Sequence, residues 1–184
     1  MKKLKINTDH WDRWLAQSFE DDGHTLVSYE VIINYLRHGE RLRFPTAIRL
    51  LQCMIRSSFE PWVCYEVYEY EEAFYLLKTI CRLTDPREVK MGRKYRSGFV
   101  PQFEYNYHKI KSSSVTNIIQ DLKVPISAIS EGSIGGDGVR YELATTLGFQ
   151  SSRFEWWSEV NSEWEPLVQQ FNKIFENFET FFDE

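Results

Sequence analysis

Trp164, Leu167, Val168, Phe171, Ile174, Phe175 and Phe178 recur at helical spacing near the C-terminus, which predicts an amphipathic helix with a continuous aromatic face. Such a face needs a broad apolar surface to cover it, and an antiparallel sheet with one apolar side supplies one. Ser162 and Glu165 have the spacing of a capping box at its start. Pro166, so early in the segment, moves that start by a residue or two.

The strands that would form the sheet follow from alternation. Residues 61 to 70 are rich in aromatic and β-branched side chains, with Val63, Tyr65 and Val67 on one face. Residues 74 to 83 have the same character, and the polar Glu71-Glu72 between the two runs predicts a β-hairpin. Phe103, Tyr105 and Tyr107 alternate with Glu104, Asn106 and His108, as a half-exposed strand does. Two further strands, 139 to 145 and 153 to 158, keep period two around a turn containing Gly148 and are expected to pair. The adjacent Trp156 and Trp157 must then point to opposite faces. Residues 44 to 60 are ambiguous, because Ile48, Leu50, Leu51, Met54 and Ile55 suit a buried helix or a buried strand; strand is the reading adopted.

Helices complete the pattern. Ser114 is read as the cap of a helix carrying Val115, Ile118, Ile119 and Leu122, which Pro125 stops. Asp9 is read as the cap of a helix with Trp11, Trp14, Leu15 and Phe19 on one side, ended by Asp21-Asp22-Gly23. Ser28 precedes a second helix with Val31, Ile32, Tyr35 and Leu36, which Gly39 terminates. The expected fold is α+β: one antiparallel sheet with helices packed on it, an N-terminal helical segment over 1–40 and a core over 44–184, in a single domain of 184 residues.

Charge restricts the function. The net charge is -5, which argues against a protein that works by neutralising phosphates. Residues 149 to 184 hold only Arg153 and Lys173 against eight acidic side chains, enough to steer a basic partner. Cys53, Cys64 and Cys81 lie in apolar runs without paired zinc spacing and are expected to be reduced and buried. Residues 1 to 10 lack the apolar core of a signal peptide, and no apolar run approaches the roughly eighteen residues of a membrane span, so a cytoplasmic address is expected.

Recognisable catalytic and metal motifs are missing from the sequence. His10, His24, His38 and His108 have no metal-ligand spacing, and no Ser or Cys sits on a nucleophile elbow. No cofactor is expected. The glycines at 132, 135, 136 and 138 precede a strand, so they lack the helix N-terminus of a phosphate cradle; Asp137-Gly138 reads as a turn with positive φ. Lys90, Arg93, Lys94 and Arg96 around Tyr95 form a basic loop that would serve RNA binding or simply face solvent. Glu66, Glu69, Glu71 and Glu72 carry no basic residue among them, and read equally as a charged edge that deters aggregation or as a docking surface for a basic protein.

Asp137-Gly138-Val139-Arg140-Tyr141, Phe154-Glu155-Trp156-Trp157 and Glu163-Trp164-Glu165-Pro166-Leu167 together resemble a pattern in small bacterial proteins encoded beside secreted polymorphic toxins as immunity proteins. The resemblance spans residues 49 to 178. It implies a non-enzymatic cytoplasmic protein that blocks a toxin domain, as in contact-dependent growth inhibition, the toxin often being a basic nuclease. On that reading the contacts are Glu69, Glu71 and Glu72, with Asp137, Glu155, Trp157 and Glu159 as further candidates. The alternatives are an enzyme whose site is assembled from distant residues, such as His108 with a carboxylate, and an RNA-binding module using the 90–96 loop.

Overall fold

The computed structural model describes residues 19–21, 24–26, 29–38, 46–84, 100–122, 138–148, 150–158, 160 and 162–182. In chain order the elements are β1 (Phe19–Asp21), β2 (His24–Leu26), α1 (Tyr29–His38), β3 (Ile48–Ser57), β4 (Trp62–Tyr70), β5 (Ala73–Thr84), β6 (Val100–Ile110), α2 (Ser112–Asp121), β7 (Val139–Leu147), β8 (Gln150–Trp157) and α3 (Glu165–Glu179). One six-stranded antiparallel sheet has the order β6-β5-β4-β3-β7-β8, and β1 pairs with β2 separately. The fold is α+β, as the alternation and the helical stripe require.

The chain divides into two compact units, Met1–Ala47 with Cys81–Phe103, and Ile48–Ile80 with Glu104–Glu184. In the first, α1 buries Ile32, Tyr35 and Leu36, and the Tyr35 ring meets Phe103 at 5.0 Å. Phe19 belongs to β1, paired opposite Leu26, and not to the helix expected to include it. Asp21, expected to end that helix, is the last residue of β1 and pairs with His24, while Asp22 and Gly23 lie outside the described residues. Asp9, Trp11, Trp14, Leu15, Gly39 and the basic loop at 90–96 lie outside the described residues.

In the second unit, one face of the sheet receives α2 and α3. Tyr65, Val67, Leu76, Leu143 and Trp156 from the strands pack with Val115 and Ile118 of α2 and with Leu167, Phe171, Ile174 and Phe178 of α3. Tyr65 alone meets the rings of Phe175, Phe178 and Phe182. Lys78 pins the end of α3 by donating to Glu179 Oε2 at 2.6 Å while its ammonium lies over the Tyr65 and Phe182 rings, 5.4 and 5.5 Å from their centroids.

Strand β3 is central, and Gln52, Met54, Glu66, Tyr68 and Glu142, on the strands' other face, are also buried. Burial on both faces explains why its hydrophobic pattern does not alternate. A register shift between Arg49 and Leu51 marks a bulge near its start.

Helix boundaries differ slightly from those expected. α2 begins at Ser112 with Lys111 as the cap, extended at φ -77 and ψ 145 and making no side-chain cap bond. Three consecutive serines tolerate the first turn, so the helix starts ahead of Ser114. α3 starts at Glu165 after Trp164, whose conformation is already helical, so no capping box forms; Pro166 with its fixed φ occupies the first turn. β8 begins at Gln150 instead of 153, because Gly148 at φ +60 allows a two-residue turn that extends the ladder to its limit.

Cys53, Cys64 and Cys81 are free and buried. Loss of hydration pushes the Cys53 thiol far above its ordinary range and the Cys81 thiol up to about 12. Alkylation of Cys53 and Cys81 in the native protein at pH 8 is therefore expected to run about a hundredfold slower or more than in the denatured chain, since the thiolate is the reactive species. Equal rates in the two states, followed by mass spectrometry, would contradict this burial.

Among the described residues no helix is long and apolar enough to cross a membrane, and no group of three His, Cys, Asp or Glu side chains could hold a metal ion.

Candidate partner-binding surface

The β4–β5 hairpin closes through only Glu71 and Glu72, at φ 48 and 61. Two consecutive left-handed residues are the signature of a type I′ turn, whose twist suits a tight hairpin. Asn-Gly is the inexpensive choice there, whereas each other residue with a Cβ costs about 1 kcal/mol at positive φ. The chain keeps two carboxylates at this point all the same. Glu69, Glu71 and Glu72 are exposed, and among the described residues none of their side chains forms an ion pair or hydrogen bond. Across the ladder Glu69 faces Ile48, an apolar side chain 57 % exposed. Beside the turn lies an open recess of about 440 Å³ lined by Glu72, Phe74, Lys109, Lys111 and Ser112 among others.

Glu66 does not belong to this tip. It is 0 % exposed, and its Oε1 accepts from Arg49 Nη1 at 3.0 Å, Gln52 Nε2 at 3.2 Å and the Tyr68 hydroxyl at 2.9 Å. The lack of a basic neighbour in sequence is corrected by β3, which brings Arg49 from seventeen residues away. Strand pairing does what local sequence could not.

Glu155 and Trp157 occupy a different region. The register places Glu69 beside the start of β3, whereas Glu155 pairs with Glu142, and Glu142 with Met54, toward the opposite end. Glu155 Oε1 accepts from Arg56 and, at 3.1 Å, from Arg140. Glu142, buried, pairs with Arg153 at 3.2 Å and Arg56 at 3.7 Å. Like charges stand directly opposite, Arg56 to Arg140 and Glu142 to Glu155, and the ion pairs run diagonally between them, which offsets the repulsion. Trp157 is half-buried under the Arg140 guanidinium, 4.3 Å from its ring centroid, while Trp156 is core. The two indoles do take opposite faces.

The acidic tip is therefore one contiguous group, and Glu155 with Trp157 is a separate one in which Arg56 and Arg140 neutralise the carboxylate. Asp137 and Glu159 lie outside the described residues. Gly138 does have positive φ, at 150, and its N–H and C=O are both held by the Ser58 hydroxyl. Comparison with family models, curated proteins and solved structures finds no match.

The polar layer of Arg49, Gln52, Arg56, Arg140, Glu142 and Arg153 was not singled out by sequence, although Gln52 and Arg56, four residues apart and so on one face of a strand, were a usable signal. His108 is exposed and packs edge-on against Phe182 at 4.8 Å; among the described residues no carboxylate is hydrogen-bonded to it. Among the described residues, an apolar recess of about 260 Å³ lined by Leu51, Ile119, Leu122, Phe154 and Leu167 among others has no titratable side chain in its lining.

Proposed function

We propose that this chain is a cytoplasmic immunity protein that binds a cognate bacterial toxin domain and neutralises it by stoichiometric occlusion, with the acidic β4–β5 tip as its principal contact. The observation that carries the reading is the placement of Glu71 and Glu72 at consecutive left-handed positions. A turn selected for stability alone favours Asn-Gly; retaining two charged residues at a local cost is the pattern of a site kept for contact. Unneutralised carboxylates beside the exposed Ile48 offer a basic partner both steering and an apolar anchor. The resemblance of residues 49 to 178 to toxin-associated immunity proteins points the same way and makes a basic nuclease the expected partner. Glu155 and Trp157 would join only as a second contact, one whose carboxylate is already ion-paired.

The test uses the purified toxin domain encoded beside the gene. Reversing Glu69, Glu71 and Glu72 to Lys is expected to slow association by about tenfold or more at low salt, with the wild-type rate falling toward the variant's as salt rises. A second variant separates contact from folding: Glu71→Asn with Glu72→Gly should raise stability by about 1–2 kcal/mol through relief of the left-handed strain, yet still weaken binding. Affinity that is indifferent to salt and to both variants would reject the tip as the contact.

A further inference from the structure

The recess of about 440 Å³ beside the hairpin turn carries both signs of charge, since its lining includes Glu72 from the turn, Lys109 of β6 and Lys111 at the start of α2. Both lysines are exposed. Among the described residues neither ammonium forms an ion pair or hydrogen bond, although Glu72 lines the same recess. Phe74 and Ile110 add apolar surface to the lining.

These lysines are too near the tip to escape an interface built on it. β6 is the neighbour of β5 in the sheet, and adjacent strands lie only about 4.8 Å apart. A protein–protein interface of ordinary size covers about 800 Å² of each partner, a patch roughly 30 Å across. One centred on Glu69, Glu71 and Glu72 therefore covers Lys109 and Lys111 as well. A covered ammonium without a counter-charge weakens a complex, because its hydration is lost and nothing replaces it.

From this juxtaposition we infer that the toxin is bipolar where it meets the tip: its basic groups face Glu69, Glu71 and Glu72, and a carboxylate beside them enters the recess to pair with Lys109 and Lys111. The inference rests on the reading of the tip as the toxin contact and deepens it. The first turn of α2 holds no acidic side chain of its own, so the positive end of the helix adds to the preference of the lysines for an anion.

The consequence is selectivity. A net charge of -5 attracts basic proteins in general, whereas a uniformly basic surface seated on the tip would set its cations against the two lysines. Steering and close fit thus ask for different charges at one place, the first acting on association and the second on dissociation.

The test uses the full chain and the purified toxin domain encoded beside the gene. Lys109→Glu with Lys111→Glu makes the chain more acidic, so steering alone predicts faster association and tighter binding. A bipolar contact gives the opposite for affinity: dissociation should quicken by about tenfold or more, while association holds or rises. Lys109→Gln with Lys111→Gln, which introduces no repulsion, should quicken dissociation by about threefold or more. In the wild-type complex, labelling of Lys109 and Lys111 by an amine-reactive ester, followed by mass spectrometry, should be about tenfold slower than in the free chain, a readout that needs no variant. Tighter binding by Lys109→Glu with Lys111→Glu, or lysines labelled as fast in the complex as in the free chain, overturns the inference; the tip reading survives if reversing Glu69, Glu71 and Glu72 still slows association. Affinity indifferent to the tip and lysine variants alike rejects both.

Discussion

Arg49→Met is expected to destabilise the protein by about 3–5 kcal/mol, because it removes a guanidinium from a carboxylate that is wholly out of water. Arg49 Nη1 lies 3.0 Å from Glu66 Oε1, and the exposures of the two side chains are 11% and 0%. Methionine keeps most of the arginine stem's volume, so the cost reads the charge and not a cavity. Gln52 and Tyr68 continue to donate to Glu66, but neutral donors do not replace a cation in a low-dielectric site. The double variant Arg49→Met with Glu66→Gln should recover most of the loss, since a neutral amide retains an acceptor for Tyr68 without needing a countercharge. Urea unfolding of the four proteins gives the coupling directly. A single-variant cost below about 1 kcal/mol would mean that the pair behaves like an exposed one and that Glu66 is hydrated.

The value of this pair to the fold is better sought in register than in net stability, since buried ion pairs often stabilise no more than apolar replacements. Gln52 sits directly opposite Glu66, and Arg49 reaches it only because the bulge between Arg49 and Leu51 shifts the ladder. A slip of β3 by one residue would send Gln52 and Arg56 to the helix-bearing face and strand an amide and a charge among Tyr65, Leu143 and Phe171. The diagonal pairs of Arg56, Arg140, Glu142 and Arg153 impose the same condition on β7 and β8.

Elements that bury one face were legible in the sequence. The stripe from Trp164 to Phe178, the alternation at Phe103, Tyr105 and Tyr107, and the runs on either side of Glu71-Glu72 and of Gly148 each carry their own period. Strand β3 was harder because Met54 on one face and Cys53 on the other are equally buried, which erases the period. The assignment of Phe19 to a helix failed on a three-residue strand, too short for any period to register. At the candidate surface, the exposure of Glu69, Glu71 and Glu72 was legible in the sequence because it follows from the hairpin. Glu66 was misplaced and Arg56 unnoticed, since partners such as Arg56 and Glu155 are separated by 99 residues and meet only once the strands are ordered.

Phe171→Ala carries the other large expected effect, a loss of about 3–5 kcal/mol. The ring is 0 % exposed and stands at the meeting point of α3 with two strands. It lies edge-on to Trp156 at 5.1 Å and to Tyr141 at 5.6 Å, and stacks on Phe175 at 5.8 Å. Truncation removes its transfer energy, leaves a cavity that the sheet's hydrogen-bonded backbone cannot collapse into, and deletes favourable ring–ring geometry. Phe171→Leu, which refills most of the volume, should cost roughly half as much. Phe175→Ala, at a half-buried position on the same helix, should also cost less, because water already reaches that side. Thermal and urea unfolding rank the three. If Phe175→Ala proved as costly as Phe171→Ala, α3 would be packed on the sheet with a different face, and the central place given to Phe171 would be wrong.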